Sequence, residues 1–398
     1  MTATVVPNDA PARGGAARRA AHRARYAWAN SGDPRLLAAR RRWECRPRPT
    51  VPGLVSPGRD GGPTIAYAGA PEGVRNVLAF LEQQRDGADR PTPERVERDV
   101  TWADLVAGTA FPEADLVAVG ADAARVAGLP TAGALVLPFR VHLVVEVDDD
   151  LDGMRRRISK REREDFRRSR RDHGWTWERD DSPAAFEHFF ERMHRPTMEE
   201  RHGDRQRSEG PDAAYECLFR RGMLFFVAED GRRVAGVLCR WDGATGTLTT
   251  RLLGVLDGAP EHYASGAFKA VYHLLLEWAC ANGVERIDYH GTEAFVSKGI
   301  YQWKRKFRPT VVLPPNHFAG KRLWFRPARD TEAVRDFLVA NPTLAMTGDG
   351  GMEAVYFRDG TRPPRTGLSW ECPGVAGARE IDLDEFLAPA GARRKERT

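Results

Sequence analysis

Between residues 223 and 283, three short β-rich runs joined by tight turns lead into one strongly amphipathic helix, an order that few folds accept. Residues 223–228 run to the turn Glu229-Asp230-Gly231, residues 234–241 run to Asp242-Gly243, and residues 247–254 form the third run. Short loops carrying Gly after Asp favour antiparallel hairpins. After the loop 255–264, Ser265 stands where an N-cap would. Phe268, Val271, Tyr272, Leu275, Trp278 and Ala279 then recur at helical spacing until Asn282-Gly283 stops the helix. A meander closed by a helix predicts an α/β (α+β) chain with antiparallel neighbouring strands.

The flanks extend this pattern. A long basic helix is expected from Leu151 to Gly174, with Asp152 as its cap and Met154, Ile158 and Phe166 on one face. A short strand at 175–178 follows. Phe186, Phe189, Phe190 and Met193 sit at i, i+3, i+4 and i+7, the signature of an amphipathic helix, and Pro211 opens another through Arg221. Beyond the central helix come a strand at 285–289, a short basic helix at 298–305 and strands at 310–313 and 322–325. Upstream, 64–68, 115–120, 134–137 and 141–147 read as strands and 74–84 as a helix. Four regions are therefore expected: 1–62, a basic disordered arm and Pro/Gly linker; 63–150, a small N-terminal α/β domain; 151–330, the main domain; and 331–398, a helix and a disordered tail.

Composition narrows the function. Of the 398 residues, 41% are apolar and 29% charged, a globular balance with enough apolar mass for a core. The longest apolar stretch, 132–147, is broken by Arg140, His142 and Glu146, so no membrane span is expected. Five scattered cysteines, with no CxxC pair, argue against a disulfide framework and a zinc site. No apolar leader is seen, and a cytoplasmic protein is expected. The net charge of +5 is uneven: residues 1–60 hold twelve Arg against four acids, and residues 151–173 hold ten Lys/Arg against five. Such concentrations suit a polyanionic partner or a solvated helix face.

The element order from Trp175 onward resembles the GNAT acyltransferase superfamily, which implies a mixed, mostly antiparallel sheet flanked by helices. The resemblance narrows at Gly299-Ile-Tyr-Gln-Trp-Lys-Arg-Lys-Phe307, preceded by Ile287-Asp-Tyr-His-Gly291, which looks like the FemAB-type branch. The basic segment 160–174 with its following strand, and Thr197 with Arg201-His-Gly203, are similar to other signatures of that branch. The match spans about residues 141–326.

This resemblance implies an enzyme that forms amide bonds, taking an acyl group from aminoacyl-tRNA or from acyl-CoA as co-substrate, with no tightly bound cofactor and no metal. The acceptor would be an amine on a small metabolite, a peptide or a cell-wall precursor. Lys304 matches the family's catalytic lysine, stabilising the oxyanion of the tetrahedral intermediate. Trp303, Tyr301, Phe307, Arg201 and His202 are the implied substrate contacts. His290 is the best-placed base for the incoming amine, with Asp288 and Glu293 behind it.

Acyl-CoA enzymes of the superfamily seat the pyrophosphate on a loop of form Arg/Gln-x-x-Gly-x-Gly/Ala at the start of the central helix. Here the loop reads Tyr263-Ala-Ser-Gly266-Ala-Phe268, so Ser265, Gly266 and Ala267 are the donor-binding candidates. Tyr263 and Phe268 depart from the pattern. Arg161 and Arg168 on the basic helix offer phosphate contacts of the kind a tRNA requires. Aminoacyl-tRNA is thus the expected donor, acyl-CoA the alternative. A non-catalytic RNA-binding protein is the reading from outside enzymology, with Trp175 and Trp177 able to stack bases.

Overall fold

A computed structural model describes residues 8, 10–87, 90–202 and 209–388. The chain divides into two compact units, each discontinuous in sequence. The first comprises residues up to Asn30, His142–His290 and Lys304–Thr310; the second comprises Ser31–Val141, Gly291–Trp303 and the chain from Val311.

In the first unit the strands lie in the order Val141–Glu146, Arg286–Thr292, Thr247–Val255, Arg232–Asp242, Gly222–Glu229 and Thr176–Arg179. The three central hairpin strands pair antiparallel, as the Asp-Gly turns require. Thr247–Val255 and Arg286–Thr292 run parallel, paired only at Thr247/Arg286, Leu248/Ile287 and Thr249/Asp288. Beyond that point the two strands part. Helix Ala267–Ala281 covers this sheet with Leu274, Leu275 and Ala279 fully or almost fully buried, and Asn282 with left-handed Gly283 ends it. A cluster around Phe186, Phe189, Met193, Tyr215, Phe219 and Phe226 forms a core of this unit.

The second unit holds a sheet ordered Val96–Val100, Val51–Ser56, Ile65–Gly69, Leu116–Asp122, Lys321–Pro327, Leu135–Pro138. A smaller sheet pairs Thr343–Met346, Met352–Arg358 and Ala378–Asp382.

Several expectations are corrected. Residues 10–62 are not a disordered arm and linker: helices Ala16–Asn30 and Pro34–Glu44 and strand Val51–Ser56 occupy them. Ala and Arg are strong helix formers, and arginines hold the first helix without a buried apolar stripe. Arg23 pairs with Glu216 at 2.9 Å, Arg13 lies 3.9 Å over the Tyr215 ring, and the Tyr215 hydroxyl donates to the Pro11 carbonyl. The α/β sheet assigned to 63–150 also takes Val51–Ser56 and Lys321–Pro327 from outside that range. The region 331–398 is more than a helix and a tail, since it carries the smaller sheet and helix Leu383–Leu387; residues 389–398 lie outside the described residues.

The long basic helix is two helices, Leu151–Arg157 and Lys160–His173. Its cap is Asp150, whose carboxylate accepts from the Gly153 amide at 2.9 Å. The break at Ile158 leaves the Ser159 amide free to donate to the Lys306 carbonyl at 2.9 Å. Ser265 is not the cap of the central helix either. A short helix Pro260–Ala264 precedes it, and Gly266, at φ +90°, turns the chain into the central one.

Candidate acyl-transfer site

The place where the two parallel strands part is the site's foundation. Thr249/Asp288 is the last pair, and opposite it the Thr247–Val255 strand bulges between Thr250 and Leu252. Thr250 Oγ1 bridges the fork by donating to the Asp288 carbonyl at 3.4 Å. The next carbonyl, that of Tyr289, accepts a hydrogen bond from Lys304 Nζ. Lys304 is only 4% exposed, so its ammonium is held inside the protein and not in bulk solvent. It reaches there because Gly299–Lys304 is helical and the turn Arg305–Phe307 returns the chain to the core, with Phe307 packed 5.7 Å from the Tyr289 ring and 4.7 Å from His273.

Asp288 is also buried, and its two oxygens have separate tasks. Oδ2 lies 2.7 Å from His142 Nδ1, and Oδ1 accepts from the His290 backbone amide at 2.8 Å. The His142 and His290 rings are 5.1 Å apart. The structure therefore brings Lys304, Asp288 and His290 into one unit around a short stretch of strand, and it adds His142. That histidine was read from the sequence only as an interruption of an apolar run. The signal was present, since a lone polar residue in the strand Val141–Glu146 needs a buried partner.

Other expected residues fall elsewhere. Phe307 is core. Tyr301, in the second unit, is fully buried with its hydroxyl donating to the Trp370 carbonyl at 2.8 Å, which makes it a packing residue. Trp303, also in the second unit, is half-buried. Arg201 caps Tyr263 and Phe268, 4.6 and 5.5 Å from their ring centroids, and those rings lie 5.3 Å from each other. This aromatic–cation stack stands at the loop before the central helix. Ser265 Oγ accepts from the Ala267 amide at 3.4 Å, and Ala267 is fully buried. The side chain of His202 and all of Gly203 lie outside the described residues. Arg161 is 92% exposed and Arg168 pairs with Asp165 at 2.7 Å. Trp175 is buried beside His173, and Trp177 stacks on Phe225 at 5.1 Å, so both pack within the unit.

The basic helix is anchored by Glu162. Burial alone would raise its carboxyl pKa. The neighbouring His273 and Lys306, together with the Lys269 charge, outweigh burial and bring it down to about 2. Lys306 Nζ is 3.0 Å from Glu162 and His273 Nε2 is 3.7 Å away. Burial holds His273 itself below the ordinary histidine range.

Among the described residues one group has the make-up of a metal site, Glu44, Glu72 and His317 in the second unit, with ligand atoms within 4.8 Å of one another. The protein's own cations already serve it: Lys321 Nζ sits 2.8 Å from both Glu44 and His317, and Arg40 bonds both carboxylates. Burial and the Lys321 and Arg40 charges push the His317 pKa down to about 2. No helix among the described residues is long and apolar enough to cross a membrane.

A buried ammonium beside the point where the sheet forks is a fixed positive charge of the kind that can meet a developing oxyanion. Residues 153–305 match the family described as an acetyltransferase (GNAT) domain, and the chain is an acyltransferase. Solved structures similar to the chain include FemX, at 12% identity and a TM-score of 0.37, covering 68% of this chain and 87% of that one. Another is L-PGS from Bacillus licheniformis, at 14% identity and a TM-score of 0.33, covering 78% and 96%. No curated protein matches the sequence.

Proposed function

We propose that this acyltransferase forms an amide bond on an amine-bearing acceptor, in the manner of FemAB-type enzymes, with aminoacyl-tRNA as the donor. The acceptor amine attacks the donor's acyl carbonyl, a tetrahedral intermediate forms, and its oxyanion is met by the Lys304 ammonium. A lost donor of this kind costs about 3–4 kcal/mol of transition-state stabilisation. The attacking amine must shed a proton. His142 and His290 are the bases in reach of the fork, with Asp288 fixing the first through its ring and the second through its backbone. Collapse of the intermediate breaks the bond to the donor, and the leaving oxygen takes up a proton.

The observation that carries this reading is the burial of Lys304 on the Tyr289 carbonyl, at the first carbonyl past the last strand pair. The aromatic–cation stack of Arg201, Tyr263 and Phe268 favours aminoacyl-tRNA over acyl-CoA, because it fills the loop where backbone amides would meet a pyrophosphate. The acceptor is a small metabolite, a peptide or a cell-wall precursor, and the reaction is set in the cytoplasm. All five cysteines are free thiols, which suits that reducing compartment.

Lys304→Met keeps the stem and removes the charge. It is expected to lower turnover at least tenfold with the melting temperature little changed, and unaltered turnover at an unaltered fold would remove Lys304 from the mechanism. Presenting the protein with charged tRNA and, separately, with acetyl-CoA decides the donor by which one is discharged.

A further inference from the structure

The first unit carries a recess that the acyl-transfer chemistry does not use. It is a cavity of about 340 Å³ between helix Lys160–His173 and the C-terminal half of helix Ala267–Ala281. Its size lies at the lower end of the range for small-ligand pockets. The central helix contributes His273, Leu276 and Glu277, not the loop at its start where donor contacts were expected.

Five arginines line the cavity, at 155, 163, 167, 170 and 171, against a single acid, Glu277. Glu277 is already shared: Arg155 approaches it at 2.8 Å and Arg170 at 3.0 Å. Among the described residues, neither Arg163 nor Arg167 has a carboxylate within ion-pair distance, and Arg171 has only its neighbour Asp172 at 3.5 Å. Positions 163, 167 and 171 stand one helical turn apart, roughly 6 Å along the axis. A row of guanidiniums left without carboxylates repels itself unless an anion is supplied, and planar guanidinium matches phosphate oxygens two at a time.

The rest of the wall is not polar. Ile158 and Leu276 are aliphatic, and Phe166 stacks face to face on buried His273 at 4.0 Å with the rings 2° from parallel. Burial keeps that histidine below its ordinary range, which favours the uncharged ring in this aromatic wall. A bare inorganic anion would leave this wall without use. A ligand with phosphate at one end and a flat ring at the other engages both halves.

We propose that this cavity is a nucleotide-binding pocket, with Arg163 and Arg167 taking phosphate and the Phe166 wall packing against the base or ribose. The ligand chemistry is that of a phosphorylated nucleoside unit, whether free, at the end of a cofactor or within a strand. The pocket is separate from Lys304 and does not rest on the transferase mechanism. Arg161 and Arg168, chosen from the sequence for phosphate contact, point away from this lining; the same helix presents other arginines to it.

The test is calorimetric titration of the full-length protein with four probes: adenosine 5′-monophosphate, coenzyme A, a penta-adenylate oligoribonucleotide and inorganic phosphate. At least one nucleotide probe is expected to bind at least tenfold more tightly than phosphate, with affinity falling as salt rises. Whichever of the three binds best identifies the source. The double variant Arg163→Gln/Arg167→Gln should weaken that probe at least tenfold with an unchanged melting temperature, while Lys304→Met should bind it as the parent does. Phosphate binding as tightly as the nucleotides, or affinity kept in the double arginine variant, overturns the pocket. Affinity lost only in Lys304→Met moves the ligand to the transfer site and overturns it as well.

Discussion

His290 holds a backbone φ of +66°, a conformation that costs a non-glycine residue roughly 1 kcal/mol. What keeps it there is the Asp288 carboxylate, which accepts the His290 amide while its other oxygen engages His142. Backbone and side chain at this point are set by one buried acid. Replacing Asp288 by Asn should disturb both histidines at once. Replacing His142 by Asn should lower turnover by roughly a hundredfold or more if it carries the proton, the scale expected of a general base. A loss of less than twofold in a transfer assay would leave His290 as the base. His290→Gly separates the two roles of that residue: the strain is relieved, so thermal unfolding should show stability unchanged or raised by up to about 1 kcal/mol, while the ring is lost.

The elements were legible where local chemistry decides them. The hairpin turns, the period of Phe186–Phe189–Phe190–Met193 and the Asn282-Gly283 stop each act through neighbouring residues, and each was found in place. What escaped was decided at a distance. The break at Ile158 answers a carbonyl from Lys306, and His142 matters only because the Arg286–Thr292 strand sets Asp288 beside it. Gly254 is another such case. A Cβ there would lie 2.6 Å from the His194 amide nitrogen and against the Met193 backbone, so the strand can meet that helical turn only as glycine. Gly254→Ala should destabilise by about 1–3 kcal/mol, the scale of overpacking, read as a lowered denaturation midpoint. The helix-to-helix tie at Glu162 makes a pH-dependent prediction. Its carboxyl is held at about 2, below its unfolded value, so it stabilises the fold above about pH 4.5 and loses that contribution as pH falls toward 2. The stability gap between the parent and Glu162→Gln should be on the order of 2 kcal/mol at pH 7 and should close across that interval.

Over the whole molecule, the two units do not follow the boundaries that composition suggests. Composition marked residues 1–62 as a charged, Pro/Gly-rich run, and charge alone does not reveal which acids it will find. Arg23 finds buried Glu216, Arg220 donates to the Ala10 carbonyl, and Arg251 donates to Tyr26 and Asn30. Deleting the first 30 residues should therefore weaken the first unit by about 2 kcal/mol or more, since Glu216 keeps only Arg220 and the Tyr215 ring is uncovered. A melting temperature unchanged by that deletion would show the segment to be dispensable.

The interleaving of the two units bears on how the chain is made. A ribosome releases the Ala16–Asn30 helix long before Glu216 or Tyr215 exists, and then the opening strands of the other unit before either sheet is complete. Neither half can finish during early elongation, and an arginine-rich segment must wait, exposed, for acids still untranslated. Folding of the first unit thus waits until residue 310 has emerged, and through that interval the amino-terminal arginines are open to nucleic acids and chaperones.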